Sequence, residues 1–457
     1  MKAALQDHQI AAVSKVPVEG GLLMYHGLGS GKTLSSIAAT HNGSSNVITP
    51  ASLRTNFKKE LNKFLDNDDN YNIISYNRAV SDEPDYKDAI IVDEIHNISN
   101  SNTARSKKIL DLARNHKLRI GLTGTPIVNS PSDIAPILHF LSPDSNIPLN
   151  KAEFDKNFIK KTDTKLTAYE QFVGIKPGVK KRLINTDVIR DAIRGKVHYY
   201  TPDKDDYPDV KDEIVNVKMS KDQADVYKAI TKKLDPVMAY KVKKNMPMSG
   251  KELSKMNFFM SAVRQVSNDA GKFGYHGVTP KIQKIVDDTV SSKASDKNFK
   301  GLIYSNYLNS GINKIESELN DYGVKTKKYN GKMSDKSKQD AVNKYNKGEI
   351  DVLLVSSAGS EGLDLKGTKL VQITEPHWNK TKIDQVIGRA ARFKSHSDLP
   401  EDERVVKVKR YHSVLPSNDT SADEYLYNMS VEKDELNNQI LDILKEEGSR
   451  KYIKVNT

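Results

Sequence analysis

Met24-Tyr25-His26-Gly27-Leu28-Gly29-Ser30-Gly31-Lys32-Thr33 is the stretch that decides the fold. The apolar run into it, Gly21 to Met24, predicts a buried strand, and Thr33 to Ala39 predicts the start of a helix. A loop with three glycines lies between them. Glycines let the backbone curl until successive N–H groups face one anion, and a helix N-terminus adds partial positive charge. Lys32 can then reach β- and γ-phosphates, and the Thr33 hydroxyl can bind Mg2+. The strict phosphate-loop pattern has glycine where His26 stands. A glycine-rich surface turn could carry similar letters, but the strand before and the helix after argue for a phosphate loop.

Further runs alternate with helical spacing on the C-terminal side. Val47-Ile48-Thr49-Pro50, Ile73-Ile74-Ser75-Tyr76, Ala89-Ile90-Ile91-Val92 and Leu118-Arg119-Ile120-Gly121-Leu122 predict four more strands. Leu53 to Leu61 has apolar residues at helical spacing. The run at 89–92 is almost wholly apolar, as a central parallel strand is. It leads straight into Asp93-Glu94-Ile95-His96, so two carboxylates stand at the strand end where an α/β sheet places its ligand. Asp93 can hold Mg2+ through water, and Glu94 can take the proton of an attacking water. The strand at 118–122 ends in Thr123-Gly124-Thr125-Pro126, whose hydroxyls suit a relay to another surface. Upstream, Leu5-Gln6-Asp7-His8-Gln9 precedes the phosphate loop by one short helix and a turn at Pro17; the Gln9 amide offers the donor and acceptor pair that reads adenine. Residues 1–141 therefore predict one doubly wound domain.

The chain has 457 residues, enough for about three domains. It is 37% hydrophobic and 28% charged, the composition of a globular protein in water. No run approaches the ~18 apolar residues of a membrane span. The N-terminus lacks the apolar core of a signal peptide, so a cytoplasmic, non-secreted protein is expected. With no cysteine, disulfides, thiolate metal sites and cysteine nucleophiles are excluded.

The net charge of +12 is unevenly spread. Residues 1–150 hold 15 basic and 15 acidic side chains, residues 301–457 hold 25 and 24, and residues 151–300 hold 31 and 20. A localised surplus is the footprint of a polyanion-binding face. Within the middle third, residues 142–211 predict a helical accessory region and linker carrying Lys160-Lys161 and Lys180-Lys181-Arg182. Residues 212–300 predict a basic helical insertion, with one helix from Met219 to about Met238. Lys241, Lys243 and Lys244 are candidate contacts to nucleic-acid phosphates, with Tyr240, Phe258, Phe259 and Tyr275 nearby.

A second α/β unit is predicted over 301–457. Its strands are Gly301–Ser305, Val324–Tyr329, Asp351–Val355, Leu370–Ile373 and Val405–Val408, with a helix from Asp423. The third strand runs into Ser356-Ser357-Ala358-Gly359-Ser360-Glu361-Gly362-Leu363-Asp364. A helix from Lys382 carries Gln385-Val386-Ile387-Gly388-Arg389-Ala390-Ala391-Arg392. The spacing places Arg389 and Arg392 on one helix face, where two permanent charges suit a triphosphate.

Taken in order, these motifs resemble a superfamily 2 helicase or translocase, over most of the chain. Gly121 to Asn129, Val263-Arg264-Gln265-Val266-Ser267-Asn268 and Trp378-Asn379 resemble its Swi/Snf-type branch. Arg389 to His396 is similar to viral members, the poxvirus-type nucleoside triphosphate phosphohydrolases and phage branch-migration helicases. Asp364-Leu365 stands where that branch usually has Asn-Leu, which is closer to helicases generally. The resemblance implies two RecA-like domains facing across a cleft. It implies ATP bound by Gln9, Gly27, Gly29, Ser30, Gly31, Lys32 and Thr33, with Asp364 and Gln385 also at the nucleotide and Thr33 and Asp93 on Mg2+. Lys32, Asp93 and Glu94 are the implied catalytic residues, with Arg389 and Arg392 as arginine fingers. Thr49, Ser52, Thr123, Ser356 and Ser357 are the implied tracking contacts. The implied activity is ATP-driven movement along duplex or branched DNA in viral or phage replication, recombination or transcription. The same residues also suit an RNA helicase, or an ATPase switch in viral transcription termination. A monomer is expected, with viral replication or transcription proteins as possible partners.

Overall fold

The computed structural model describes residues 4–27, 29–66, 69–82, 84–172, 174–202, 207–248, 250–356 and 363–450. The contacts divide the chain into two units. The first comprises Met1–Lys160, Lys181–Pro202 and Lys433–Thr457; the second comprises Lys161–Lys180 and Asp203–Glu432.

The first unit is built on six parallel strands: β1 Gly20–His26, β2 Ser45–Thr49, β3 Tyr71–Ser75, β4 Ala89–Asp93, β5 Leu118–Thr123 and, far downstream, Val197–Tyr200. Their order is β3-β2-β4-β5-β1 with Val197–Tyr200 at the edge beside β1. The apolar runs read from sequence become strands buried on both faces, and Leu22, Leu23, Met24, Ile90, Ile91 and Val92 are fully buried. The helix Ile134–Leu141 lies so close to β1 that a Cβ on Gly21 would stand 2.4 Å from the Leu141 carbonyl oxygen. Only glycine fits there.

Among the described residues, two strands join the sheets of neither unit: β6 Ile159–Asp163 and β7 Val179–Leu183, which pair with each other. The edge strand Val197–Tyr200 is β8. The second unit's sheet contains β9 Asp209–Lys218, β10 Gly301–Ser305, β11 Thr326–Tyr329, β12 Val352–Ser356, β13 Leu370–Ile373 and β14 Val405–Val414. All are parallel, in the order β11-β12-β10-β13-β14-β9. A Met-rich core, with Met219, Met238, Met248, Met256 and Met260, packs the helices after β9 onto Ala422, Tyr425 and Leu426.

Five expectations change. The segment 142–211 is helical only in part: beside the helices Lys151–Phe158, Ala168–Phe172 and Thr186–Ile193 it supplies β6, β7, β8 and the start of β9. The second domain does not extend over 301–457: β9 lies in its sheet, while residues from Lys433 belong to the first unit, where Ile440, Ile443 and Leu444 enter the core. The first domain does not end at 141, for β8 completes its sheet. The helix read over 219–238 is two, Lys221–Thr231 and Pro236–Lys243, because Asp235 caps a new start with Pro236 at its first position. The arginine helix stops at Ala390, so Arg392 lies beyond it and the shared-face argument fails.

Candidate active site

β1 delivers the chain into Gly27, and the helix Lys32–Thr40 leaves from Gly31. Gly29 and Gly31 have φ of 77° and 72°, a backbone that glycine adopts without Cβ strain. At Gly31 a Cβ would also lie 2.4 Å from Gln9 Nε2, so the Gln9 amide would have to move away. The Gln9 amide thus rests on the loop, buried, and its Oε1 accepts the Gln6 N–H at 2.9 Å. Ser30 Oγ donates to the Gly27 carbonyl at 2.8 Å. Lys32 Nζ donates to the carbonyls of His26 (3.0 Å) and Gly27 (3.1 Å). Thr33 is half-buried in the first helical turn. The loop therefore gathers Gln9, Gly27, Gly29, Ser30, Gly31, Lys32 and Thr33 at one place; Leu28 lies outside the described residues.

His26, in the place of a glycine, is explained by β8. Its Nε2 shares a hydrogen bond of 2.7 Å with His198 Nδ1. His8 stacks on Tyr200 with centroids 3.7 Å apart and planes 5° from parallel, and donates from Nε2 to the Ser30 carbonyl at 2.8 Å. A three-histidine, one-tyrosine cluster thus supports the loop from behind. Burial, then the charges of His198, Lys32 and His8, pushes His26 down to about 2. Burial, then Lys15 and His8, pushes His198 down to about 4. Both rings stay neutral in the fold, whereas an unfolded histidine takes up a proton near pH ~6.5. Above that pH the difference costs nothing; as pH falls through it toward about 4, the unfolded state binds more protons and stability is lost. We expect Tm to fall on acidification through this window, and His26→Gln with His198→Gln to make the fall shallower. An unchanged slope in the double variant would refute the assignment.

β4 ends in the acid pair. Asp93 Oδ2 accepts from Thr49 Oγ1 at 3.0 Å, and Oδ1 accepts the Glu94 N–H at 3.1 Å. Burial and the neighbouring Glu94 charge push the Asp93 carboxyl up to about 6, against the Thr49 hydrogen bond and Lys32. A buried carboxylate so short of positive charge fits a divalent cation. Glu94 has φ 51° and ψ 52°, a left-handed conformation that costs about 1–3 kcal/mol for a residue with a side chain. Its carbonyl is held by the Tyr76 hydroxyl (3.0 Å), the Asn97 N–H (3.0 Å) and Asn97 Nδ2 (2.9 Å). Tyr76 also donates to the Asp93 carbonyl at 2.7 Å. The strain aims two consecutive carboxylates differently, and Tyr76 and Asn97 maintain it.

Downstream, His96 Nδ1 lies 3.4 Å from Glu94 Oε2 and 3.0 Å from Thr123 Oγ1. Thr123 Oγ1 in turn accepts the Thr125 N–H at 3.0 Å. Glu94 is thereby linked to the loop after β5. That loop is fixed by buried Asp133, whose Oδ2 accepts the N–H groups of Val128 (3.0 Å) and Asn129 (2.6 Å).

In the second unit, Gln385 and Arg389 are half-buried on the helix Lys380–Ala390. Arg392 pairs with Asp364 Oδ1 at 2.9 Å. Val263 to Asn268 is a buried polar anchor. Asn268 Nδ2 donates to Glu375 at 2.7 Å, and Arg264 donates to the Pro376 carbonyl. Glu375 also accepts from Ser305 Oγ and Asn306 Nδ2, both at 2.9 Å.

Several expected nucleic-acid contacts are corrected. Thr49 and Thr123 are fully buried, their hydroxyls committed to Asp93 and His96. Ser356 is buried at the end of β12. Ser357 lies outside the described residues. Lys241 is fully buried and paired with Glu252 at 3.0 Å, and Lys243 pairs with Asp419 at 3.1 Å. Ser52 and Lys244 are exposed. Sequence reasoning missed Tyr76, Asn97, His198 and Tyr200, whose partners are remote in the chain or bond through backbone; only the unusual His26 hinted at them.

Two parallel-sheet units and a phosphate loop near a pair of carboxylates are now in place, and comparison with known proteins says which family they belong to. Residues 69–272 match the SNF2-related domain, and residues 281–394 match the helicase conserved C-terminal domain. A mimivirus (Acanthamoeba polyphaga) protein named as an ATP-dependent RNA helicase is 32% identical over 453 residues, covering 95% of each chain. An African swine fever virus protein named as a termination factor NPH-I homolog is 24% identical, covering 93% of this chain and 75% of that one. The helicase domain of Pyrococcus furiosus Hef shares the fold at TM-score 0.51 and 16% identity, over 93% of this chain and 98% of that one. The chain belongs to the SNF2-related helicase family of superfamily 2 and has viral relatives in it. It is an ATP-hydrolysing enzyme whose activity is tied to nucleic acid.

Proposed function

We propose that this enzyme is an ATP-driven motor that moves along DNA and remodels or unwinds duplex or branched substrates. The observation that carries the reading is the linked chain Asp93–Glu94–His96–Thr123, which ties the hydrolytic carboxylates to the loop after β5. Lys32 leaves its loop carbonyls to take the β- and γ-phosphates. Gln9 reads the adenine edge. Thr33 and Asp93 would hold Mg2+, which when bound neutralises phosphate charge. Glu94 accepts the proton of the attacking water as its oxygen bonds the γ-phosphorus and the bond to the bridging oxygen breaks. Arg389, with Arg392, stabilises the charge that develops, and Asp364 and Gln385 complete the nucleotide contacts. Grip on DNA is through phosphates without sequence choice, because stepping needs equal hold at every register.

Support for DNA comes from the match of residues 69–272 to the SNF2-related domain. The name of the mimivirus relative favours RNA instead. A cysteine-free chain suits the reducing cell interior, where we place its work in viral replication, recombination or transcription. The test is ATPase stimulation by duplex DNA, single-stranded DNA and RNA of equal length. The reading predicts the largest stimulation by duplex DNA. Stimulation by RNA alone would replace it with the RNA helicase reading.

A further inference from the structure

The basic surplus of residues 151–300 does not reside where Lys241 and Lys243 stand, since one is buried and the other paired. Residues 161–180 differ. They leave β6, turn through the short helix Ala168–Phe172 and return into β7. Lys161, Lys165, Lys176 and Lys180 are all exposed, against two acidic residues, Asp163 and Glu170. Tyr169 is 65% and Phe172 89% exposed. Two aromatic rings in water, three residues apart among four lysines, are not a solvated charged face.

The turn that presents them is well built. The Thr167 N–H donates to Glu170 Oε2 at 2.7 Å, and the Glu170 N–H donates back to Thr167 Oγ1 at 3.2 Å. Ile175 is buried, with its N–H on the Glu170 carbonyl at 2.9 Å. The Thr164 N–H closes the base on the Gly178 carbonyl at 2.8 Å. Tyr240 donates to Glu170 Oε1 at 3.4 Å, and Pro247 packs against Gly178 so tightly that a Cβ there would lie 2.8 Å away. Exposed Lys244 lies close enough that, after the bonds from Thr167, its charge helps hold the Glu170 carboxyl below its ordinary value. The backbone that carries the two rings is therefore fixed before any ligand arrives, which lowers the entropy lost on binding.

We propose that Lys161, Lys165, Tyr169, Phe172, Lys176 and Lys180, with Lys244, form a binding surface for single-stranded DNA. The lysines follow the phosphates, and Tyr169 and Phe172 stack on bases. Stacking requires unpaired bases, whose faces a duplex keeps covered, so the aromatic pair selects the single strand. The choice of DNA rests on the function proposed above. A motor that opens duplex DNA generates such a strand, and this surface would hold it.

The test uses the full chain without nucleotide and measures fluorescence anisotropy with oligo(dT), a duplex of equal length and oligo(rU). Tyr169→Ala with Phe172→Ala should weaken oligo(dT) binding roughly tenfold or more and leave duplex binding nearly unchanged. Replacing Lys161, Lys165, Lys176 and Lys180 with Gln should flatten the salt dependence for oligo(dT) by about 0.7 in log–log slope per lost contact. An unaltered Tm and DNA-free ATPase in both variants show that the fold is intact. Unchanged oligo(dT) binding, or equal loss on the duplex, overturns the proposal. Loss confined to oligo(rU) overturns the assignment to DNA. Because binding is read without hydrolysis, these results stand apart from duplex stimulation of the wild-type ATPase, whose absence would defeat the motor reading alone.

Discussion

Glu94→Gln is expected to bind ATP with near-normal affinity and to hydrolyse it about a thousandfold more slowly, in the range general-base removal produces. The substitution keeps the size of the side chain and removes its basicity. The phosphate loop is untouched, since Gln9, Ser30 and Lys32 make their bonds without Glu94. The left-handed backbone at Glu94 is held through its carbonyl by Tyr76 and Asn97, and those bonds survive a side-chain change. Lys32→Ala supplies the contrast: it should lose affinity as well as turnover, because its ammonium is the positive charge for the phosphates. Single-turnover hydrolysis with fluorescent-nucleotide binding separates the two. Near-normal turnover by Glu94→Gln would remove it as the base.

Arg389→Ala is expected to lower kcat by about a thousandfold while ATP affinity changes only several-fold. A guanidinium that meets charge developing on the transferring phosphoryl group acts on the transition state, and such fingers contribute about 10^3 to 10^5 in rate. Arg392 is expected to be the weaker partner of the pair. It stands beyond the end of the helix and is held by Asp364 at 2.9 Å, which compensates part of its charge. Parallel measurement of kcat and nucleotide Kd for both alanine variants tests this ranking. Equal losses in affinity and turnover for Arg389→Ala would make it a ground-state contact.

The sequence made the first sheet legible because its strands are buried on both faces. Such strands show as apolar runs, clearest at Leu22-Leu23-Met24 and Ala89-Ile90-Ile91-Val92 and shorter in Val47-Ile48 and Ile120-Gly121-Leu122. The phosphate loop was legible for a different reason: its chemistry is local, and glycine, lysine and threonine must be contiguous. Edge strands carry a weaker signal: β3 shows only Ile73-Ile74 as an apolar pair, and some edge strands show nothing. β9 is Asp209–Lys218, charged along its length and mostly exposed, and it forms only because β14 offers ten residues to pair with. β6 and β7 carry the lysine runs that read as linker, and they pair only with each other.

The orientation of a hydroxyl at a strand end was also hidden. Thr49 and Thr123 looked available for a polymer, but a strand's side chains alternate between faces, and theirs meet Asp93 and His96. Lys241 illustrates the limit for charges. A lysine is expected outside, yet Glu252, eleven residues on and in another helix, makes burial tolerable. Nothing in the local sequence announces that pairing. The same limit hid the exposed rings of Tyr169 and Phe172, whose surroundings are set by β6 and β7.

Displacement of a third strand from a DNA triplex tests the motor most directly. With ATP, the wild-type chain should travel along the duplex and strip the third strand, and Glu94→Gln should leave it bound. Steady duplex-stimulated ATP hydrolysis with the third strand still in place would contradict translocation.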